Sequence, residues 1–232
     1  MPIGHDMDIG EVVWAVTMAV WTLFVIYGTR LTYNYWTNRG MEEMVAVYYN
    51  RKIVHMLAAG VVLLIMPFVF TDPLIPLIGG FALGGFTAFM HQSGRRMYWM
   101  QNPENMNDSS FAFMLGISVY LLWVLFDDPW LAVLPSLFMA FGDGVTGIVR
   151  NKMFSRRTKS AWGNVAMALV CLPMGWFIGM ESITAIPVWG LLSGALASFV
   201  ERYEFGPIDD NVLIATASTI LLIIGATFGP IV

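Results

Sequence analysis

Three stretches of this chain combine acids, bases and small residues in ways that suit phosphate chemistry. The first is YNRKIVHMLAAG at 49–60, where Arg51 and Lys52 could donate hydrogen bonds to phosphate. If a helix starts near residue 50, Lys52 and His55 are three apart and share a face. The plain alternative is a pair of snorkelling anchors with an interfacial histidine. The second is GDGVTG at 142–147. It matches the dinucleotide pattern G-x-G-x-x-G, but that motif follows a β-strand. Here the preceding WLAVLPSLFMAF is almost unbroken apolar sequence, and Ile148 and Val149 exclude a Walker A loop. What remains is Asp143 at the membrane edge, flanked by Gly142 and Gly144, which allow a turn and close backbone approach. Arg150, Lys152, Arg156, Arg157 and Lys159 follow, with Ser160 and Gly163 beside them. A carboxylate beside bases suits metal-bound polyphosphate: the acid holds Mg²⁺ and the bases hold phosphate oxygens. The alternative makes the glycines helix-packing residues. The third stretch is ERYEFGPIDDNVLIAT at 201–216, with Glu201, Asp209, Asp210 and Asn211. Asp and Asn are good helix caps, yet a cap needs only one. Two adjacent acids repel unless a cation or base joins them. A fourth stretch, at 91–110 with His91, Arg95 and Arg96, reads as an ordinary polar loop or a lid.

The elements that position these groups are membrane spans. The chain has 232 residues, 57% hydrophobic and 12% charged, against about 25% charged in soluble domains. The expected class is an all-α polytopic integral membrane protein, one catalytic domain over 1–232 with no linker. A span needs about 20 mostly apolar residues. About eight candidates (7–8) occur, near 11–29, 53–71, 74–90, 111–126, 129–142, 163–180, 184–200 and 211–230. The fifth is short and interrupted by Pro135. Cys171 lies in an apolar run and reads as a small core residue, without metal-ligand spacing. The first residues, MPIGHDMDIGE, lack the basic region of a cleaved signal peptide.

All twelve Lys and Arg fall in the gaps after spans 1, 3, 5 and 7. The remaining gaps hold acids: Asp72, Asp127, Asp128 and Glu181. The positive-inside rule then puts both termini outside and every cluster at the cytoplasmic face.

In order, RKIVH at 51–55, GDGVTGIV at 142–149, KSAWGN at 159–164 and ERYEFGPIDDNV at 201–212 resemble the CTP-dependent polyprenol kinase family, which includes dolichol kinase and phytol kinase. The resemblance covers roughly residues 50–216. Three positions depart from it: Gly147 stands near the place where the family often has a small residue before a Gly-Arg pair, Arg150 follows Val149 with no glycine before it, and Asn164 stands where the family often has Ser or Thr. The resemblance implies transfer of the γ-phosphate of CTP to a membrane isoprenoid alcohol of the dolichol, phytol or geranylgeraniol type, with Mg²⁺. It implies Asp143, Asp210 and Lys159 as catalytic, with Asp143, Asp209, Asp210 and Glu201 towards the metal. Gly142, Gly144, Arg150, Lys152, Lys159, Ser160, Gly163 and Asn211 would meet the nucleotide, and Arg51, Lys52 and His55 would orient the alcohol. Nucleic acid is not an expected partner; an oligomer is compatible with the sequence. The first rival is a cytidylyltransferase making a CDP-diacylglycerol or CDP-archaeol type lipid. The second is a transporter, disfavoured because transporters set charges near the midplane, whereas here they gather at one end.

Overall fold

The computed structural model describes residues 8–154, 159–206 and 208–231. Among them the fold is all-helical, and an isolated bridge between Phe205 and Ile208 is the one β-type pairing. Eight helical rods follow one another: α1 (Ile9–Thr37), α2 (Glu43–Val69), α3 (Leu74–Gln92), α4 (Asn107–Phe126), α5 (Pro129–Met153), α6 (Ala161–Glu181), α7 (Pro187–Val200) and α8 (Asp210–Phe228). All but α7 are long and apolar enough to cross a membrane. The protein is a polytopic all-α membrane protein. Side chains such as Phe24, Phe68, Phe89, Leu169 and Phe199 are more than half exposed, as a lipid-facing surface requires.

The apolar stretches locate the rods but not their ends. α1 runs on through Tyr33–Thr37, and α2 begins at Glu43 rather than near residue 50. α5 is neither short nor interrupted: it passes through Pro135 and the whole GDGVTG stretch, 25 residues in all. Hydropathy marks where the chain becomes polar, and a helix continues into polar sequence when neighbours satisfy its side chains.

α5 is the axis of the bundle. Of its most apolar window 78% is buried, against 22% for α1 and α3. Every residue from Leu131 to Ala140 is buried. α6 and α7 lie antiparallel beside it, at backbone distance. Gly175 faces Gly190, where a Cβ on either would stand 2.1 Å from the other's carbonyl oxygen. Gly194 faces the Cys171 carbonyl in the same way, at 2.4 Å. Small residues let membrane helices approach closely where no hydrophobic gradient drives them together.

Two rods change pitch where they meet. α2 is π-helical over Val54–Gly60 and α5 over Phe138–Asp143. The two stretches touch: a Cβ on Gly60 would stand 2.6 Å from the Phe141 ring. π-helical turns are rare and concentrate at functional sites. His55 lies in the first of these stretches and Asp143 ends the second.

The acids of the far end fasten the bundle. Asp128 caps α5, accepting from the Leu131 amide at 3.1 Å, and ties the α6–α7 turn through the Thr184 amide and hydroxyl at 2.9 and 3.0 Å. Glu11 accepts from the Thr71 amide and hydroxyl at 2.6 and 2.8 Å.

Candidate active site

The polar residues gather where α2, α4, α5, α6 and the α7–α8 turn converge. On α2, Lys52 Nζ donates to Asp143 Oδ2 at 2.6 Å, and His55 Nδ1 stands 3.7 Å from the same oxygen. Lys52 and His55 thus share a face, as their i, i+3 spacing predicts. They are not snorkelling anchors, because both are buried, at 4% exposure. His55 stacks on Phe111 of α4, ring centroids 4.0 Å apart. Arg51 turns towards the start of α4, with its Nε 2.9 Å from Asp108 Oδ1. That contact is ionic: neither atom has a well-directed hydrogen bond.

Two turns beyond Asp143, Arg150 forks onto Glu201, Nη1–Oε1 2.6 Å and Nη2–Oε2 2.7 Å. Such a bidentate pair fixes orientation as well as charge. Asn164 braces it, accepting from Arg150 Nη2 at 3.1 Å and donating to Glu201 Oε2 at 3.1 Å. The Ser160 carbonyl accepts from Arg150 Nε at 3.1 Å. Lys159 closes the ring: its Nζ lies 2.9 Å from Asp210 Oδ2, 3.1 Å from Glu204 Oε1 and 3.3 Å from Glu201 Oε1. Burial disfavours the Lys159 ammonium, but Asp210 and Glu201, with Glu204 behind them, outweigh it and hold its pKa above the ordinary lysine value.

One carboxylate oxygen each from Asp143, Glu201 and Asp210 lies within 4.8 Å of the others. Around them is a cavity of about 20 Å³, lined also by Tyr48, Asn107, Arg51, Lys52, Arg150 and Lys159. It has room for about one water-sized particle. Three buried hard oxygen donors suit Mg²⁺. The residues fit the ion unequally. Lys52 engages Oδ2 of Asp143 and Lys159 engages Oδ2 of Asp210, whereas both oxygens of Glu201 are held by Arg150.

The glycines do something other than turn a loop. GDGVTG is continuous helix. A Cβ on Gly142 would stand 2.4 Å from Cys171 Sγ, and one on Gly144 2.8 Å from the Met56 side chain. These two are packing residues, buried away from any ligand. Gly147 and Gly163 instead make room for the bases: a Cβ would stand 2.4 Å from Lys52 Cε and 2.2 Å from Arg150 Nε respectively.

Other expected residues fall elsewhere. Asp209 caps α8 through the Val212 amide at 3.0 Å and accepts from the Ser110 hydroxyl. It stays outside the acid trio, and burial holds its pKa above the ordinary carboxylate value. Lys152 is exposed and apart from the cluster, as are Arg95 and Arg96. Arg156 and Arg157 lie outside the described residues, as does Pro207 of the α7–α8 turn. Asn211 is buried beside the site, donating from Nδ2 to the Asn107 carbonyl at 3.1 Å.

Sequence reasoning missed Tyr48, Asn107, Asp108, Ser110 and Glu204. For three of them a signal existed. NDSSFAF opens α4 with polar residues before an apolar run, the same form as DDNVLIA at α8, on a helix that starts at the same end of the bundle.

No protein-family model, curated protein or solved structure matches the chain.

Proposed function

We infer that the protein is a phosphotransferase that moves the γ-phosphoryl group of a metal-bound nucleoside triphosphate, CTP by the resemblance of its motifs, to the hydroxyl of a membrane isoprenoid alcohol. The observation that carries this reading is the buried trio of Asp143, Glu201 and Asp210, each paired with a base, at one end of an apolar bundle. Phosphoryl transfer asks for positioning and charge neutralisation more than covalent help. Asp143 and Asp210 would hold Mg²⁺, which when bound neutralises charge on the transferring phosphate. Glu201 acts through Arg150, as a positioning pair.

Without ligands the cluster is its own counter-charge: Lys52 neutralises Asp143 and Lys159 neutralises Asp210. With a metal-bound triphosphate in place, Asp143 and Asp210 would hold the cation, and Lys52 and Lys159, released from them, would hold phosphate oxygens. Lys159 is the most accessible of the cluster's bases, its side chain 29% exposed against 2% for Arg150. It is therefore suited to meet the incoming nucleotide. In the transfer, the alcohol oxygen forms a bond to the γ-phosphorus as the γ-phosphorus–β-oxygen bond breaks. CDP leaves with the bonding electrons, and the hydroxyl proton passes to a carboxylate. With every cluster at the end that carries Lys and Arg, the site faces the cytoplasm, where CTP is available.

The test offers purified protein γ-labelled CTP, ATP and GTP with Mg²⁺ and a panel of isoprenoid alcohols. Label in a prenyl monophosphate, with CDP released, supports the reading. Pyrophosphate and a CDP-lipid would instead make the protein a cytidylyltransferase. Asp143→Asn is expected to remain folded in detergent and to lose at least about a hundredfold in turnover; wild-type turnover removes Asp143 from the metal site.

A further inference from the structure

A second, much larger cavity lies between α1, α2, α3 and α4, with a volume of about 610 Å³. That falls in the range of about 300–1,000 Å³ typical of ligand sites. Its walls are apolar nearly throughout. Along α1 it reaches from Val12 to Ile26, about 21 Å at the helical rise of about 1.5 Å per residue. It therefore runs through much of the bilayer's apolar depth, about 30 Å. Val16 of α1 and Ile78 of α3 both line it and are more than half exposed, so it opens sideways towards lipid.

One end of this cavity is not apolar. His55 and Asp108 line it there. Both are more than nine-tenths buried, and neither His55 Nδ1 nor Asp108 Oδ1 makes a well-directed hydrogen bond: the first stands 3.7 Å from Asp143 Oδ2, and the second meets Arg51 Nε only as an ion pair at 2.9 Å. A buried polar atom without a partner is costly unless a ligand completes it. The same two residues touch the ion-paired cluster, His55 through Asp143 and Asp108 through Arg51. They form the partition between the apolar cavity and the phosphate site.

We propose that this cavity is the acceptor site: it holds one extended isoprenoid chain between α1, α2, α3 and α4, with the terminal hydroxyl at His55 and Asp108. This deepens the kinase reading and rests on it for the fate of the hydroxyl. The chain is drawn in because the cavity replaces its lipid contacts, and its hydroxyl supplies the hydrogen bonds that His55 Nδ1 and Asp108 Oδ1 do not make within the protein. A hydroxyl is the fitting group there, since it donates one proton and accepts another.

Gly79 offers a clean probe. It lines the cavity, and a Cβ built on it meets nothing within 4 Å. Gly79→Phe therefore starts from a position whose Cβ displaces no neighbour, lines the channel and is not part of the phosphate-site lining. Binding of geranylgeraniol to the purified protein is measured by native mass spectrometry without nucleotide. Phosphorylation of geranylgeraniol and of the single-unit alcohol prenol is then measured with CTP and Mg²⁺. We expect Gly79→Phe to weaken geranylgeraniol binding by about tenfold or more and to raise its KM, with turnover of prenol unchanged. Asp108→Asn is expected to raise the acceptor KM by a larger factor than the CTP KM, since Asp108 also pairs with Arg51. If Gly79→Phe binds and phosphorylates geranylgeraniol like the wild type, the chain lies elsewhere and the proposal is overturned. Binding of a two-chain phosphatidic lipid in place of geranylgeraniol also overturns it. If wild type binds geranylgeraniol, Gly79→Phe does not, and neither transfers phosphate, the acceptor site stands and the kinase reading falls.

Discussion

Arg150 and Glu201 illustrate why the charged cluster of the candidate site is also a structural risk. The pair is 2% and 1% exposed, and breaking a buried ion pair by removing one charge costs about 3–5 kcal/mol. Glu201→Gln, which breaks a bidentate pair, is therefore expected to lower thermal stability in detergent markedly; Asp143→Asn also removes a buried charge but keeps an amide oxygen that can accept from Lys52, and is expected to cost less and remain folded. A melting temperature for Glu201→Gln equal to wild type would show that Arg150 finds another partner. Gly147→Ala tests clearance: its Cβ would stand 2.4 Å from Lys52 Cε, so the Lys52 chain must shift from its present path to Asp143. We expect a melting temperature within a few degrees of wild type and turnover about tenfold lower or worse. Unchanged turnover would mean that the Lys52–Asp143 contact is dispensable. Lys159 supplies the pH test. Its folded pKa lies above the unfolded value of 10.5, so its stabilisation is complete below that value and is lost as pH rises through the folded pKa. The stability difference between wild type and Lys159→Met should stay constant across neutral pH and shrink only in strong alkali. A difference that changes near pH 7 would contradict the pairing.

At the scale of elements, the site depends on helices brought together by absent side chains. α6 and α7 meet where Gly175 and Gly190 leave no room for a methyl group. α6 carries Asn164, and the α7–α8 turn carries Glu201, so their separation would pull apart the Arg150 brace. Overpacking of this kind costs about 1–3 kcal/mol. Gly175→Ala is expected to lower the melting temperature and to reduce activity with it, whereas Gly85→Ala, where a Cβ meets nothing within 4 Å, should change neither. Equal melting temperatures for the two variants would refute the close contact. The π-helical stretches belong to the same scale. They lie where α2 and α5 touch, and His55 and Asp143 lie within them. Nothing in the spacing of apolar residues announces them, because a π-turn is decided by what packs against it.

For the whole molecule, the alternation of eight rods places the described Lys and Arg at one end and Asp128 and Glu181 at the other. The orientation is testable because Cys171, the one cysteine of the chain, is buried. In intact cells a membrane-impermeant thiol reagent is expected to label Glu181→Cys at once and Arg95→Cys only after lysis; both positions are exposed. The opposite pattern would invert the topology.

The sequence by itself determined the membrane class, the eight rods and the end at which the charged clusters gather. Apolar length and the sorting of charge are local, additive properties. Only the tertiary structure decided which charges pair, since Lys52 and Asp143 lie 91 residues apart and Arg150 and Glu201 lie 51 apart. It also decided that GDGVTG is a packed helix and not a loop, and that Asp209 is a cap while Asp210 faces Lys159. Those outcomes depend on which surfaces meet across the bundle, and a linear pattern of polar and apolar residues carries no record of that.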